Sequence, residues 1–435
     1  MSNLIEKPQK TTKGGGSPYM VYIQQPTLFP FEVFVHSGCS HQHFFSALLS
    51  IDVEPIRKMF PLYQGTGRPG YDRTALFRAL VLKTILELPS IEALVKCLSC
   101  SKELMYYCGF DIRKPPPSPS VFYRFLAELR KMEGQKLLGQ VVQEMMAKVA
   151  EEAAPEGKVV IDTTDIPARE RPPKGDAGKE ESTSLGSAWG YRTASSPEET
   201  PLFYGYKLHV AMAPTSIGPI PLALRIAPAN VPETEIAPIL MREAHAEHKN
   251  LFGIAPEYYV MDAGYDARCI YEQALALGGQ AIIKLNMRNR KKPFPGFNED
   301  GTPLCPAGYP MVYWGAEKER KVLKFRCPKA AGRKVECDGQ CACANPYGLV
   351  VRVRVKDNPR LFCYPHRGSP KWQEIYNCRS SIERWFALLK EHLRLDKMTR
   401  RGIDNAFIDT VLCITTFLAG TLAALKLRKR YFMAA

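Results

Sequence analysis

The chain has 435 residues, of which 45% are apolar and 24% charged, so it is long enough for one large or two to three ordinary folded domains. Lysine and arginine exceed aspartate and glutamate by 15, which favours nucleic acid over a membrane as partner, with a merely basic protein as the alternative. Thirteen cysteines without an apolar secretion signal argue against a disulfide framework and predict reduced thiols in a cytoplasm.

The N-terminal third has two predicted parts. Residues 1–20 are polar and rich in glycine and are predicted to be a disordered leader. Residues 21–150 are predicted to form a helical domain, with helices over 71–88 and 91–100. Another is predicted from Ser118-Pro119, an N-cap followed by proline at the first helical position, toward Met146. Such a module suits DNA-end binding, although a helical packing unit is the commoner alternative.

From residue 158 the pattern alternates between strands and helices, which predicts an α/β layer fold. A first strand, 159–161, ends at Asp162, and a later one, 258–261, ends at Asp262. Residues 167–200 are predicted to be a long loop, and residues 287–370 an insertion of strands and loops. The other predicted elements are strands over 203–212, 219–226 and 281–285, and helices over 233–248 and 267–277.

Asp162 and Asp262 share a context, because each directly follows an apolar strand. Buried strands of this kind place ligands beyond their carboxyl ends, so neighbouring strands would bring the two carboxylates together. Two close acids repel unless a cation bridges them, and their oxygens suit Mg²⁺ or Mn²⁺. A turn or helix-capping role is the alternative for any single aspartate after a strand, and it is the role expected for Asp165 and Asp266.

A third acid is predicted on a C-terminal helix. Tyr376, Arg379, Glu383 and Lys390 follow the spacing Y-x2-R-x3-E-x6-K, which on one helix places all four within an arc of roughly 60°. Glu383 would complete a set of three carboxylates able to hold two metal ions for in-line phosphoryl displacement. Arg379 and Lys390 would bind phosphate, with Tyr376 hydrogen-bonded to it or packed near a base. A solvated face is the alternative. The helix also carries an apolar stripe of Trp385, Ile382, Phe386, Leu389 and Leu393.

The three acids and the Y-x2-R-x3-E-x6-K spacing resemble the DDE transposases of bacterial insertion sequences, in the group that carries this signature. Supporting phrases are Ile161-Asp162-Thr163-Thr164-Asp165, Tyr204-Gly205-Tyr206-Lys207, Asp262-Ala263-Gly264-Tyr265-Asp266 and, more loosely, Gly67-Arg68-Pro69. The resemblance covers roughly residues 45–425. It implies a ribonuclease H-like catalytic domain, a divalent metal, terminal inverted-repeat DNA, a dimeric synaptic complex and a place at the bacterial nucleoid in the cytoplasm.

On this basis we expect a helical N-terminal domain at 21–150, a ribonuclease H-like catalytic domain at 155–286 and 371–425, the insertion at 287–370 and a basic tail at 426–435. The expected activity is cleavage of the ends of an element and transfer of the freed strand to target DNA, with Asp162, Asp262 and Glu383 holding two Mg²⁺ or Mn²⁺ ions. Two alternatives are a metal-dependent DNA nuclease without strand transfer and a non-catalytic DNA-binding protein.

Other features have weaker interpretations. Cys327, Cys337, Cys341 and Cys343 in the insertion could bind a structural Zn²⁺, although paired C-x2-C motifs are absent and unpaired thiols are the alternative. The stretch 410–425 is apolar but contains four threonines, so a buried helix is preferred to a membrane span. Lys207 and His209 lie on a strand near the proposed site, where both could be ordinary exposed residues. Basic runs that suit DNA phosphates are 288–292, Arg352 with Arg354, Arg400-Arg401 and 426–430.

Overall fold

The structure is a computed structural model that describes residues 42–61, 70–172, 185–191, 201–286, 294–317, 319–337 and 346–426. The predicted leader, the Gly67-Arg68-Pro69 segment, the basic run at 288–292 and the tail beyond residue 426 lie outside these ranges. Contacts divide the chain into two compact units. One comprises the chain up to Met145 together with the part from Val411, and the other comprises Met146–Thr410.

The first unit is helical, and short polar side chains begin several of its helices. The Asp72 carboxylate accepts from the Thr74 backbone N–H, and the Ser90 hydroxyl accepts from Ala93, so the predicted helices after them begin at capped positions. The helices that lie wholly in this unit are α1 (Gln42–Ser50), α2 (Glu54–Met59), α3 (Arg73–Ile85), α4 (Ile91–Cys100), α5 (Lys102–Cys108) and α6 (Pro119–Leu129).

The predicted run from Pro119 toward Met146 is two helices, α6 and α7 (Met132–Ala150), and not one. The chain folds back closely between them. A β-carbon added at Gly134 would lie 2.5 Å from the Glu128 carbonyl oxygen and 2.5 Å from the Leu129 Cα, so only glycine allows this approach.

The last helix, α12 (Ile403–Lys426), contains the apolar stretch that the sequence places in a core. Among the described residues it is the one helix long and apolar enough to cross a membrane by length and hydropathy. However, 83% of its apolar window is buried inside the protein. Packing against other protein segments therefore accounts for its hydropathy.

The second unit is built on a six-stranded sheet in the order β2-β3-β1-β5-β6, with β4 paired to β3. Strands β1, β5 and β6 are parallel, whereas β1–β3, β2–β3 and β3–β4 are antiparallel pairs. Helices α8 and α9 connect the later strands, which makes this a mixed α/β fold. The elements are β1 (Lys158–Pro167), β2 (Ala188–Tyr191), β3 (Leu202–Ala213), β4 (Ile220–Pro228), α8 (Glu233–Phe252), β5 (Tyr258–Met261), α9 (Arg268–Ala276) and β6 (Gln280–Ile283).

Two features of this sheet differ from the sequence prediction. Strand β1 does not end at Asp162 but continues to Pro167, because its backbone stays paired with β3 from Asp162↔Val210 to Pro167↔Gly205. The polar side chains after Ile161 end the apolar pattern without ending the hydrogen-bonded ladder. Strand β2 lies within the predicted loop 167–200, where four residues give too short a pattern to stand out.

Within the described part of the insertion, three antiparallel strands form a second sheet in the order β7-β8-β9. Its apolar side packs into a small core around Leu323, Phe325 and Phe362. The strands are β7 (Val312–Glu317), β8 (Val322–Arg326) and β9 (Val350–Arg354). Arg352 and Arg354 of the predicted basic run lie on β9.

Candidate active site

The two aspartates come from adjacent parallel strands. Val160 on β1 pairs with Val260 on β5, and each aspartate follows its paired valine by two residues. Asp162 is therefore inside β1, whereas Asp262 follows β5 and begins a 3-10 turn, where its Oδ1 accepts from the Gly264 N–H at 2.9 Å. The parallel pairing of these neighbouring strands brings both carboxylates to one edge of the sheet.

Burial makes the ionised forms of both acids unfavourable. The pKa of Asp162 is raised to about 7, mainly by burial and also by the nearby negative charges of Asp262 and Glu233, while the Thr163 N–H and the Arg379 guanidinium act in the opposite direction. Burial is also the main cause that raises the pKa of Asp262, and the negative charge of Glu233 is the second. An added cation would relieve this repulsion, which is the electrostatic setting expected of carboxylates that hold a metal.

The C-terminal signature lies on two helices and not on the single predicted helix. Tyr376 is on α10 (Pro370–Asn377), and Glu383 and Lys390 are on α11 (Ser380–Glu391), with Arg379 just before it. Between the two helices the backbone hydrogen bonds span three residues instead of four. For example, the Arg379 N–H donates to the Tyr376 carbonyl oxygen at 3.0 Å. The hydroxyls of Ser380 and Ser381 donate to nearby carbonyls at the break, in competition with the helical ladder.

Arg379 joins the first and third acids. Its Nη1 lies 3.4 Å from Asp162 Oδ2, and its Nη2 lies 2.7 Å from Glu383 Oε1. The Asp162 side chain is 14% exposed, whereas Glu383 is 51% exposed. One guanidinium thus occupies the space between two of the predicted metal ligands, where its positive charge partly neutralises both.

The other signature residues also have protein partners. Lys390 Nζ donates to Asp165 Oδ1 at 2.7 Å, so Asp165 is an ion-pair partner on β1 and not the expected turn or cap residue. Tyr376 is buried, and its ring stacks on Trp372 with 4.8 Å between the centroids. Burial raises the pKa of the Tyr376 hydroxyl. The predicted apolar stripe of α11 is buried as expected.

Glu233 and Lys284 near the site were missed from the sequence, and Lys207 and His209 were misjudged. Glu233, the first residue of α8, accepts from Thr163 Oγ1 and from Lys207 Nζ, both at 3.0 Å. Lys284 follows β6 and lies 4.9 Å from the centre of the Tyr376 ring. His209 is fully buried on β3, beside the charges of Glu233 and Lys207, and burial lowers its pKa to about 4.

The sequence gives no sign that Glu233 lies at the site, because an acidic residue in the first turn stabilises a helix wherever the helix occurs. Lys284 could have been found, because a cation that directly follows a buried strand beside β5 points to the same edge as Asp262. Lys207 is not the ordinary exposed residue that was considered, since its side chain is 16% exposed and paired with Glu233.

Asp266 is also more than a turn residue. Its fully buried carboxylate pairs with the Arg360 guanidinium, whose Nη2 lies 2.8 Å from Oδ2, and accepts from Tyr271 OH and the Asn286 N–H. Arg367, itself buried, donates to Tyr271 OH at 3.0 Å and to the Ile283 carbonyl at 2.9 Å. This network ties the segment after β9 to the carboxyl ends of β5 and β6.

The described residues contain no group of three or more His, Cys, Asp or Glu side chains placed to hold one metal ion. The donor chemistry at the sheet edge nevertheless fits a hard divalent cation, because buried carboxylate oxygens are gathered there beside Arg379 and Lys207. The buried hydroxyl of Tyr265 lies beside the same acids and next to the side chain of Thr163. For the zinc prediction, Cys327 is buried and Cys337 half-buried, whereas Cys341 and Cys343 lie outside the described residues.

Comparison with known proteins gives two family matches. Residues 153–418 match the family described as transposase DDE domain, and residues 41–128 match the transposase domain family DUF772. No curated protein sequence matches this chain. Among solved structures, a piggyBac transposase synaptic complex with hairpin DNA, determined by cryo-EM, is 11% identical with a TM-score of 0.41. That alignment covers 92% of this chain and 80% of the other, and a similarity at this level carries no argument about the site.

Proposed function

Because this chain belongs to the transposase DDE-domain family, which its match over residues 153–418 establishes, we propose that it moves a bacterial insertion sequence of the Y-x2-R-x3-E-x6-K group. It binds the terminal inverted repeats of the element as a homodimer, cleaves the DNA at the element ends, and joins the freed 3′-hydroxyl to target DNA. The catalytic domain is the ribonuclease H-like α/β unit. The observation that carries the proposal is the placement of Asp162 and Asp262 on adjacent strands, with Arg379 linking Asp162 to Glu383.

Asp162, Asp262 and Glu383 hold two Mg²⁺ or Mn²⁺ ions in this proposal. When bound, these ions supply activation of water or of a 3′-hydroxyl and neutralise the leaving oxygen. The chain's own part is to keep Asp162 and Asp262 buried and close, so that their charge is compensated by cations and not by water. Glu383 is the more exposed member of the set, and it is paired with Arg379.

Arg379 and Lys390 bind the phosphates that flank the cleaved bond, and each must first leave a carboxylate. Arg379 leaves Asp162 and Glu383, and Lys390 leaves Asp165. Because Arg and Lys contacts to phosphate supply affinity without reading sequence, this exchange positions the strand at the site. Lys284 extends the same positive edge beside Tyr376.

A cleavage and strand-transfer assay tests the proposal. Purified protein is incubated with border DNA of its own element and a supercoiled target, with Mg²⁺, with Mn²⁺ and with EDTA. We expect metal-dependent nicking at a defined border and joined products, and we expect Asp162→Asn to lose both while it still binds the border DNA. Cleavage without joining would instead indicate a nuclease, and substantial cleavage by Asp162→Asn would overturn the assignment of the site.

A further inference from the structure

Two large aromatic side chains of the insertion lie at the surface with an arginine between them. Trp314 on β7 is 49% exposed, and Tyr347, which precedes β9, is 48% exposed. The Arg326 guanidinium carbon lies 4.6 Å from the centre of the Trp314 ring and 3.9 Å from the centre of the Tyr347 ring. Arg326 Nε also donates to the Tyr347 carbonyl oxygen at 2.7 Å, so the two rings and the cation are held together as one group.

A β-bulge directs Trp314 outward. Tyr313 on β7 pairs with Phe325 on β8, and the next paired residue of β7 is Gly315, so Trp314 is left as the extra residue. Gly315 has a φ of +127°, a conformation that residues with a side chain rarely adopt. Since bulges re-aim a side chain, the exposure of Trp314 follows from the backbone of the strand itself.

The face of the β7-β8-β9 sheet that carries these rings is basic. The opposite face packs into the small core of the insertion. Lys324 on β8 pairs with Arg352 on β9, and paired residues of antiparallel strands project to the same side of a sheet. The charged side chains of the three strands are four cations and one acid, namely Lys324, Arg326, Arg352, Arg354 and Glu317. The exposed rings therefore lie on a surface of net positive charge.

Arg326 differs from Arg379 and Lys390 in having no carboxylate to leave. Within the part of the chain that the structure describes, its contacts are the two rings and a carbonyl oxygen, and no acid pairs with it. Lys324 on the same strand, by contrast, lies 2.8 Å from Glu317. The Arg326 guanidinium can therefore bind a phosphate without an exchange of partners.

We propose that this face binds single-stranded DNA, with unpaired bases stacked on Trp314 and Tyr347 and the phosphates bound by Arg326 and Arg352. Every base has an aromatic face, so exposed rings beside a row of cations hold a strand without reading its sequence. The bases of a duplex are stacked on one another and offer no such face to Trp314, and an acidic protein would engage the cations but not the rings. The match to a transposase family makes DNA, and not RNA, the strand that fits. The site uses none of the acids of the candidate active site and goes beyond the proposed function.

The test measures binding of labelled oligothymidylate, of about 16 nucleotides, to the full-length protein in EDTA, with border duplex as the comparison. Fluorescence anisotropy gives the affinity. Tryptophan fluorescence is a second readout, because Trp314 is the most exposed of the four tryptophans and a stacked base quenches it.

Three variants divide the contributions. Trp314→Ala removes a ring, Trp314→Phe keeps a ring but not the fluorescence, and Arg326→Ala removes the cation between the rings. Tyr191→Ala is the matched control, because Tyr191 is an exposed aromatic residue on β2 of the other sheet. Thermal melting of each variant shows whether it is folded.

We expect Trp314→Ala and Arg326→Ala each to weaken oligothymidylate binding by about 10-fold, and Tyr191→Ala to bind like the wild type. Oligothymidylate should quench the tryptophan fluorescence of the wild type, and Trp314→Phe should lose this quenching while it keeps most of the affinity. Arg352→Ala should lower the slope of log affinity against log salt by about 0.7, the value for one phosphate of a single strand.

Unchanged oligothymidylate binding in folded Trp314→Ala, or undiminished quenching in Trp314→Phe, would overturn the inference. Equal losses for oligothymidylate and border duplex would also overturn it, since they would indicate phosphate contacts without stacking. A variant that loses self-association in sedimentation but keeps oligothymidylate binding would assign the face to a second copy of the chain instead. Because the test uses no metal and changes no acid, each of these outcomes leaves the result of the cleavage assay, and with it the proposed function, standing.

Discussion

Lys390 Nζ lies 2.7 Å from Asp165 Oδ1, so an ion pair connects α11 to strand β1 over a separation of 225 positions in the chain. Both side chains are mostly buried, with 24% and 18% exposed. The pair means that a lysine assigned to DNA phosphate already has an acidic partner within the chain.

Removal of this acid should therefore release the lysine for DNA. We expect Asp165→Asn to bind duplex DNA more tightly than the wild type, because Lys390 no longer has to leave a carboxylate. We expect Lys390→Ala to bind more weakly and to lower the slope of log affinity against log salt by about 1, the loss of one phosphate contact. Fluorescence anisotropy over a range of salt concentrations measures both.

Glu391→Gln is the control for charge alone, since Glu391 is the exposed neighbour of Lys390 on the same helix. The double variant of Asp165 and Lys390 should bind like Lys390→Ala. An equal gain in affinity from Asp165→Asn and Glu391→Gln would show that net charge, and not the pair, is responsible.

A second prediction concerns stability against pH. Asp162 has a folded-state pKa of about 7, above its ordinary 3.8, so the folded protein binds its proton more readily than the unfolded chain does. The charged form then destabilises the fold above pH 7, and the penalty fades as the pH falls toward 4. We expect Asp162→Asn, which cannot ionise, to melt at least about 2 °C higher than the wild type at pH 8 in EDTA.

The advantage of Asp162→Asn should shrink steadily between pH 7 and pH 4 in thermal melts. We thus expect the same substitution to remove activity and to stabilise the fold, because a buried charge needed for function destabilises the folded protein. A stabilisation that is equal at pH 4 and pH 8 would show that burial of the charge is not its cause.

Removal of the Asp266–Arg360 pair should destabilise the fold, in contrast to the stabilisation expected of Asp162→Asn. Asp266 is fully buried and accepts three hydrogen bonds from the guanidinium, so replacement by alanine leaves Arg360 without its charged partner. We expect Asp266→Ala to lower the free energy of unfolding by about 3 kcal/mol, the usual result of breaking a buried pair. Urea denaturation measures the loss.

Glu272→Gln is the matched comparison, because Glu272 forms an exposed pair with Arg268 one helical turn away. Such pairs contribute little, so its free energy of unfolding should change by no more than about 0.5 kcal/mol. Similar losses for the two variants would mean that the network of Asp266 does not hold this segment in place.

Arg379 should show opposed effects on metal binding and on catalysis. Its positive charge lies 3.4 Å from Asp162 and competes with any divalent ion for that carboxylate. We expect Arg379→Gln to bind Mn²⁺ several-fold more tightly and yet to cleave border DNA at least about 10-fold more slowly, because a phosphate contact is lost. Arg384→Gln, an exposed arginine on the same helix, should change neither.

The sequence predicted the parts of the site that follow buried strands. Apolar runs before Asp162 and Asp262 predicted two strands, and the structure shows that these strands, β1 and β5, pair in parallel. The buried stripe on α11 was equally visible, because its spacing is helical. These predictions succeeded because a hydrophobic pattern in a few consecutive residues decides which side of an element is buried.

The sequence did not predict the pairs that cross between elements. Glu233, Lys207 and Asp165 look like surface charges in a local window, and only the fold brings them to one edge of the sheet. The break before α11 was also hidden, because no proline or glycine marks it. Serine hydroxyls that bond to nearby carbonyls accompany the break, and their effect depends on geometry that a residue pattern does not carry.

The long separation along the chain between Asp162 and Arg379, 217 positions, has a consequence for synthesis. A nascent chain that has reached residue 360 already carries Asp162, Asp262 and Glu233, yet it has neither Arg379 nor Glu383. Contacts between distant positions form late, because the loop that they close must be ordered first. The contacts of Arg379 with Asp162 and Glu383 can therefore form only after most of the chain has been synthesised.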